Sequence, residues 1–291
     1  MTIQIHWMKY SWSVFRLMII FAAFLLPVSA VSDDKPCCFT RFENGSVNWS
    51  SGQIRTIGRA APKDERDLAV ESIPGSARAH ANRQIIELLQ QIRIDHSLNV
   101  GQYASKNDII LAGLEKTARD AVVLKQYYTS AMAVELHVET SMYGGFLQLV
   151  LPEEIRQIPK ISRQNVSRED PARPDGYSDG YTGLIIDARG LGVKPVLNPV
   201  IFSEQGHKAY SPEYISREFA VQNGVCKYFC SLDFAKKERR VGARPLVFKG
   251  LRLEGKLNDA IVISMSDYQR LEKVIERHVF LAECRVIIVI D

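Results

Sequence analysis

The stretch from Pro152 to Gly180 is the feature that most constrains how this chain folds. It is rich in charged residues, has no periodic apolar positions and contains four prolines, namely Pro152, Pro159, Pro171 and Pro174. Such a composition is typical of a linker rather than of a packed element. The patterned regions on either side, residues 49–151 and 181–291, must therefore each build a core. The sequence predicts two small domains joined by a linker over residues 152–180.

The pattern of residues 49–151 predicts helices packed on one face of a sheet. A short strand is expected within Trp49–Ala60, and a helix is expected from Ala77, capped by Ser76. Its apolar stripe consists of Ala77, Ala81, Ile85, Leu88, Leu89 and Ile92. A second helix is expected over 108–121, followed by alternating strands through Val138 and a further apolar strand at 146–151. Small residues at the start of the stripe would allow the helix to approach the sheet closely.

The alternating region has two distinct faces. Glu135, His137 and Glu139 occupy the positions opposite the apolar ones, so the strands should be covered on one side only. Tyr127 and Tyr128 could stack on a ligand, although packing in the core or at its rim is favoured.

Residues 181–291 alternate between strand and helix signals. Strands are expected at 182–188, 196–203, 246–253 and 260–264, with a hairpin turn at 204–206. Ser266 and Gln269 match a capping box for a following helix, and 284–290 is apolar on both faces, as in a central strand. We expect an α/β or α+β domain here. The overall fold class is α+β, with each domain a mixed or antiparallel sheet and helices packed on one face.

Residues 1–30 match a cleaved export signal. Lys9 and Arg16 precede an apolar run of ten residues that ends at Pro27, and small residues lead to a cleavage site after Ala30. Ten residues span only about 15 Å as a helix, half of a bilayer core, so no stable membrane span should remain after cleavage. An uncleaved anchor is the alternative, and translation could start at Met1 or Met8. Residues 31–48 are polar and mixed, which predicts a flexible leader.

Export would make disulfides accessible to the five cysteines of the mature chain. Cys226 and Cys230 are four residues apart and would share a helix face. Two alternatives follow: they form a disulfide with each other, or they remain as two buried thiols. Cys37 and Cys38 lie in the polar leader and are expected to be exposed. No histidine lies near Cys226 to complete a metal site.

The net charge excludes one class of partner. The chain carries +4 at pH 7, and loss of Lys9 and Arg16 with the signal lowers this to about +2. So small an excess gives no electrostatic basis for binding nucleic acid. The sequence does not determine the oligomeric state.

No motif predicts catalytic, cofactor-binding or metal-binding residues. Gly190 and Gly192 follow a strand, but Pro195 opposes the helix that a phosphate loop needs, so a structural turn is favoured. Asp187, before this turn, is expected to bond to it. No two histidines of the mature chain lie within four residues of each other. An exported hydrolase acting on peptidoglycan or glycan, with Asp187 and Glu218 as acid and base, would need the two carboxylates about 5–10 Å apart. A small-ligand binding module with its site between the domains is a further alternative.

Several motifs of residues 49–151 resemble the LPP20-domain family of bacterial envelope proteins. They are the run Ile54-Arg55-Thr56-Ile57-Gly58-Arg59-Ala60-Ala61-Pro62, the helix that carries Ala77 and Ala81 and ends at Leu88-Leu89, and Ile92-Arg93-Ile94. The later Gly144-Gly145-Phe146-Leu147 fits the same order. That domain is similar to the N-terminal part of flagellar assembly protein T. Residues 181–191 and 284–291 look like uncharacterised exported proteins of Gram-negative bacteria that carry an LPP20 part.

The resemblance implies a non-catalytic periplasmic protein that acts as a scaffold or assembly factor, with envelope or flagellar proteins as partners. It brings no catalytic residues to this chain. Many members are lipoproteins, whereas no cysteine follows Ala30 directly here, so lipidation is not expected.

Overall fold

The computed structural model describes residues 38–62, 72–130, 132–155, 180–255, 260–275 and 279–291. All of them belong to one compact unit. The predicted signal with its cleavage site after Ala30, the leader as far as residue 37 and residues 156–179 of the predicted linker lie outside the described residues. The described part has mixed helices and strands in two separate sheets, which confirms the α+β class.

The first sheet is antiparallel and has five strands. They are β1 (Phe39–Phe42), β2 (Gly45–Asn48), β3 (Gln53–Ala60), β4 (Val122–Tyr128) and β5 (Val134–Ser141), in the order β1-β2-β3-β5-β4. The prediction of a flexible leader over 31–48 is wrong for its second half, because β1 and β2 form a hairpin there. Four-residue strands are too short to show an apolar period, and only pairing with β3 reveals them.

The described residues place four helices with this sheet: α1 (Ser72–Gln91), α2 (Val100–Ala104), α3 (Asp108–Arg119) and α4 (Gly145–Val150). The predicted stripe of α1 is fully buried, from Ala77 to Leu89. Gly58 explains its close approach to β3, since an added Cβ would stand 2.2 Å from the carbonyl oxygen of Ala77. The helix begins before its predicted cap at Ser76.

The predicted strand at 146–151 is instead the helix α4. Phe146, Leu147 and Val150 are buried, which is the spacing of one helix face. The prediction was wrong because a six-residue apolar run fits either period.

The second sheet is mixed and has seven strands. They are β6 (Gly183–Asp187), β7 (Ile201–Ser203), β8 (Lys208–Tyr210), β9 (Lys227–Phe229), β10 (Pro245–Glu254), β11 (Ala260–Ile263) and β12 (Val286–Val289), in the order β8-β7-β11-β10-β6-β12-β9. The block β10-β6-β12-β9 is parallel throughout. The predicted hairpin at 204–206 is confirmed, since it joins the antiparallel pair β7 and β8.

In the described part of this region there are three α-helices, α5 (Arg217–Asn223), α6 (Leu232–Lys237) and α7 (Met265–Ile275), and a short 3-10 helix at Pro212–Tyr214. The central position predicted for the last strand is confirmed, since β12 lies between β6 and β9 and is buried on both faces. Ala235 of α6 packs against one of those faces. The hydroxyl of Ser264, and not that of Ser266, accepts a hydrogen bond from the first turn of α7, at 3.1 Å from the amide nitrogen of Asp267.

Candidate functional site

Strand β4 is an edge strand with an exposed apolar surface. Within the described residues it pairs only with β5, and its other side faces no strand. All seven of its residues are exposed, including five large apolar or aromatic side chains, namely Val122, Val123, Leu124, Tyr127 and Tyr128. Val122 and Tyr128 are both 63% exposed, so core packing of the tyrosine pair is not observed. Long, apolar and unpaired edges are rare because they invite pairing with other chains.

The exposure of β4 follows from where the helices lie. Helix α1 packs on β3 and β5, and among the described residues the helix layer does not extend over β4. The register shifts between Val123 and Lys125, so Leu124 has no partner on β5 and marks a bulge. The three consecutive apolar residues at 122–124, which break the alternation, are the sequence signal that could have identified this edge.

The face of the first sheet that points away from helix α1, called the uncovered face below, carries ion pairs. Arg55 binds Glu139, and Arg59 binds Glu135, each with 2.7 Å between nitrogen and oxygen. Glu135 also lies 2.7 Å from Nε2 of His137. The hydrogen bond from Arg59, followed by that with His137, lowers the pKa of Glu135. The prediction that these side chains occupy the polar face of a strand covered on one side is confirmed for β5. It is wrong for β4, which is exposed on both faces.

Lys125 lies on the same uncovered face, opposite His137. Tyr127, two residues along, places its ring edge-to-face with His137 at 5.2 Å between centroids. In the described part of the chain, the Lys125 ammonium has neither an ion-pair partner nor a hydrogen-bond acceptor. The centre of β4 therefore carries one uncompensated positive charge between apolar side chains.

A groove opens at the beginning of β4. It has a volume of about 590 Å³ and is lined by Val122, Leu124, Asp120, Glu139, Tyr143 and Phe146, among others. Its mixed lining suits one end of an extended peptide better than a small apolar ligand.

The outer strand β9 of the second sheet is protected, in contrast to β4. Its outward backbone groups belong to Tyr228, whose amide donates to the carbonyl oxygen of Trp49 at 3.4 Å. The Ser50 hydroxyl donates to the carbonyl oxygen of Tyr228 at 2.7 Å. The rings of Trp49 and Tyr228 meet edge-to-face at 5.7 Å. The segment after β2 thus covers this edge and holds the two sheets together.

A disulfide between Cys38 and Cys230 secures the same contact. It joins residues 192 positions apart, with 5.6 Å between their Cα atoms. The predicted bridge between Cys226 and Cys230 is wrong, because these residues flank strand β9 and not a helix face. The expectation that Cys38 is exposed is also wrong, since it is 2% exposed. Sequence spacing could not reveal a bridge formed by two distant segments.

Two cysteines remain free in the described chain, Cys226 and Cys284, and both are buried. For Cys226 this agrees with the alternative prediction of a buried thiol. Burial raises the pKa of each thiol to about 12, despite the opposing charge of Arg240. Neither thiol is ionised near neutral pH, so neither is an activated nucleophile.

Asp187 has a structural partner at the carboxyl end of β6. Its carboxylate forms two 2.7 Å bonds with the guanidinium of Arg189, and these bonds lower the pKa of Asp187. The following Gly190 donates its amide to the Asp291 carboxylate at 2.8 Å. Gly190 and Gly192 have positive φ values of 82° and 67°. The structural turn predicted here is confirmed.

The structure does not bring Asp187 and Glu218 together. Ser216, next to the helix that carries Glu218, donates its amide to Ala282, just before the start of β12. β12 runs parallel to β6, so Glu218 belongs to the amino end of these strands and Asp187 to the carboxyl end. Five residues of strand separate the ends by about 13 Å. The hydrolase alternative therefore loses its carboxylate pair.

Two further properties concern only the described residues. No group of three or more histidine, cysteine or acidic side chains is placed to hold a metal ion. None of the helices is both long enough and apolar enough to cross a membrane.

The comparison with known families concerns the second sheet. Residues 183–291 match the profile of the second domain of Treponema pallidum Tp0624. The match begins at the first residue of β6 and covers β6 to β12, so it coincides with the seven-stranded sheet. No curated protein matches the chain significantly. The chain is thus similar to the Tp0624 second domain over its C-terminal sheet, whereas strand β4 lies outside the matched region.

Proposed function

We propose that this chain is an exported, non-catalytic assembly protein of the bacterial envelope that binds another protein at strand β4. The single observation that carries the proposal is the seven-residue edge strand whose apolar side chains are all exposed. An incoming extended segment would pair its backbone with β4 and cover those side chains, as in strand addition. Partners among envelope or flagellar proteins are proposed from the LPP20 resemblance of residues 49–151.

The disulfide supports a periplasmic location. Bonds of this kind form and persist in oxidising compartments and are rare in the bacterial cytoplasm. The bridge between Cys38 and Cys230 lies at the junction of the two sheets, with Cys38 buried. An export signal at residues 1–30 would deliver the chain to such a compartment.

Site-specific photo-crosslinking tests the role of β4. A benzophenone amino acid replaces Tyr127 in cells of a Gram-negative host that contains the native envelope partners, and the matched control replaces Ile109, an exposed apolar residue of α3. We expect one discrete heteromeric product from position 127 and none from position 109.

The crosslink should disappear when Leu124→Pro is added. Leu124 lies at the bulge without a partner on β5, so proline there should block an added strand with little loss of native pairing. Equal products from both positions, or persistence in a folded Leu124→Pro variant, would contradict strand addition at β4.

Export is tested separately. The full chain is expressed in a Gram-negative host, and the periplasmic fraction is analysed by N-terminal sequencing. A mature protein that begins at Val31 is expected. An uncleaved chain confined to the cytoplasm would exclude the periplasmic role.

A further inference from the structure

We infer that the segment bound at β4 comes from a different protein and carries an acidic residue opposite Lys125, with apolar residues on both sides of it. This inference rests on the proposed function and specifies the partner chemistry of the same surface. It follows from the charge distribution along β4 and from its register.

The charge at the centre of β4 is the first argument. Lys125 is the only charged residue of the strand. The neighbouring charges on the uncovered face are already used, since Arg55 binds Glu139 and both Arg59 and His137 contact Glu135. Among the described residues of this face, Lys125 is the one that offers an uncompensated charge to an incoming strand. Opposite charges placed directly across two strands attract each other, and like charges repel.

The apolar neighbours of Lys125 define the rest of the pattern. Val122 and Tyr127 share the uncovered face with Lys125, as their partners Glu139 and Glu135 show. Val123 and Tyr128 lie on the opposite face, where their partners Val138 and Val134 are buried but they are not. An added strand therefore meets apolar surface on both faces and one cation at its centre.

The same register disfavours a second copy of this chain. Antiparallel pairing of two β4 strands about their midpoint places Lys125 opposite Lys125, which is repulsive. Parallel pairing in register also brings the two lysines side by side. If the two antiparallel β4 strands are instead centred on Gln126, only residues 124–128 of each strand pair. That shorter paired segment also includes the bulge at Leu124. Each of these pairings is less favourable than pairing with a strand that carries one acidic residue opposite Lys125.

Peptide binding to the purified, disulfide-bonded protein tests this inference. The probes are two fluorescent peptides of the sequence Val-Thr-Val-X-Val-Thr-Val, in which X is Glu or Lys, and anisotropy measures their dissociation constants. We expect the Glu peptide to bind at least about fivefold more tightly than the Lys peptide at low salt. Lys125→Glu should reverse the preference.

Lys106→Glu is the matched control, since Lys106 is an exposed lysine outside β4, and it should leave the preference unchanged. Equal affinity of the two peptides, or no reversal in Lys125→Glu, would overturn the inference and leave strand addition intact. Failure of both peptides to bind up to millimolar concentration would overturn strand addition itself. A dimer in sedimentation that Tyr127→Lys dissociates would identify a second copy as the occupant and overturn the inference.

Discussion

Strands β4 and β9 are both edge strands, but the outer side of β9 is protected by hydrogen bonds and the outer side of β4 is not. β9 has three residues, and the backbone of its central residue, Tyr228, is bonded by Trp49 and Ser50. β4 has seven residues, and in the described structure its outer side is uncovered. The protected edge holds the two sheets together, whereas the unprotected edge presents apolar surface. Unprotected apolar edges carry an aggregation risk, so the difference supports the binding role proposed for β4.

The largest expected effect concerns the bridge at the protected edge. Cys38→Ser with Cys230→Ser should lower the free energy of unfolding by about 4 kcal/mol, because the bridge closes a long loop in the unfolded chain. Urea denaturation with and without reductant measures this. Reductant should destabilise the native protein by a similar amount and leave the stability of the double variant unchanged. If reductant lowered the stability of both proteins equally, the disulfide would not be the origin of the stability difference.

The next-largest expected effect concerns the Ser50 hydroxyl, which donates a hydrogen bond to the outer side of β9. Ser50→Ala removes the donor to the carbonyl oxygen of Tyr228 and the acceptor of the Cys38 amide, so two buried groups lose their partner. We expect a loss of about 2 kcal/mol in the free energy of unfolding. Ser51→Ala is the control, since Ser51 is exposed and its hydroxyl donates to the side chain of Gln53 rather than to a buried backbone group. Equal stability of the two variants would refute the capping role of Ser50.

A third prediction compares two valines that face each other across β4 and β5. Val123 and Val138 are register partners, but Val138 is 1% exposed and Val123 is 40% exposed. Val138→Ala should cost about 2 kcal/mol, from lost burial and the resulting cavity. Val123→Ala should cost less than about 0.5 kcal/mol. Comparable losses, measured by chemical denaturation, would mean that β4 is packed in the free protein.

The smallest effect concerns the uncovered face beside β4. Folding lowers the pKa of Glu135, mainly through Arg59, so its carboxylate form stabilises the folded state. This contribution is complete above the ordinary glutamate pKa of about 4.3 and is lost as the pH falls through the lowered folded value. Glu135→Gln should therefore be slightly less stable than the native protein at pH 7, and the two should converge as the pH falls below the lowered folded pKa of Glu135. A difference that persists in acid would point to packing instead.

The sequence predicted elements whose patterns are long and local. The stripe of α1 from Ala77 to Leu89 faces the core because three consecutive spacings of four residues agree with one helix face. The last strand, β12, is central because it is apolar on both faces. The short segments failed instead: the hairpin of β1 and β2 and the helix α4 are too brief for a period to be distinguished.

The candidate site was only half visible in the sequence. The alternation around His137 predicted a polar face, and that face is observed. The exposure of Tyr127 and Tyr128 was not predicted, because it depends on where α1 stops covering the sheet. Strand order decides which strand is an edge, and strand order is a property of long-range pairing.

What the sequence determined by itself is the class of the fold and the faces of its longer elements, since both follow from periodicity along a single segment. What only the tertiary structure decided is the pairing of Cys38 with Cys230, the separation of Asp187 from Glu218 and the exposed edge at β4. Each of these joins or separates residues far apart in the chain, and local patterns contain no information on such distances.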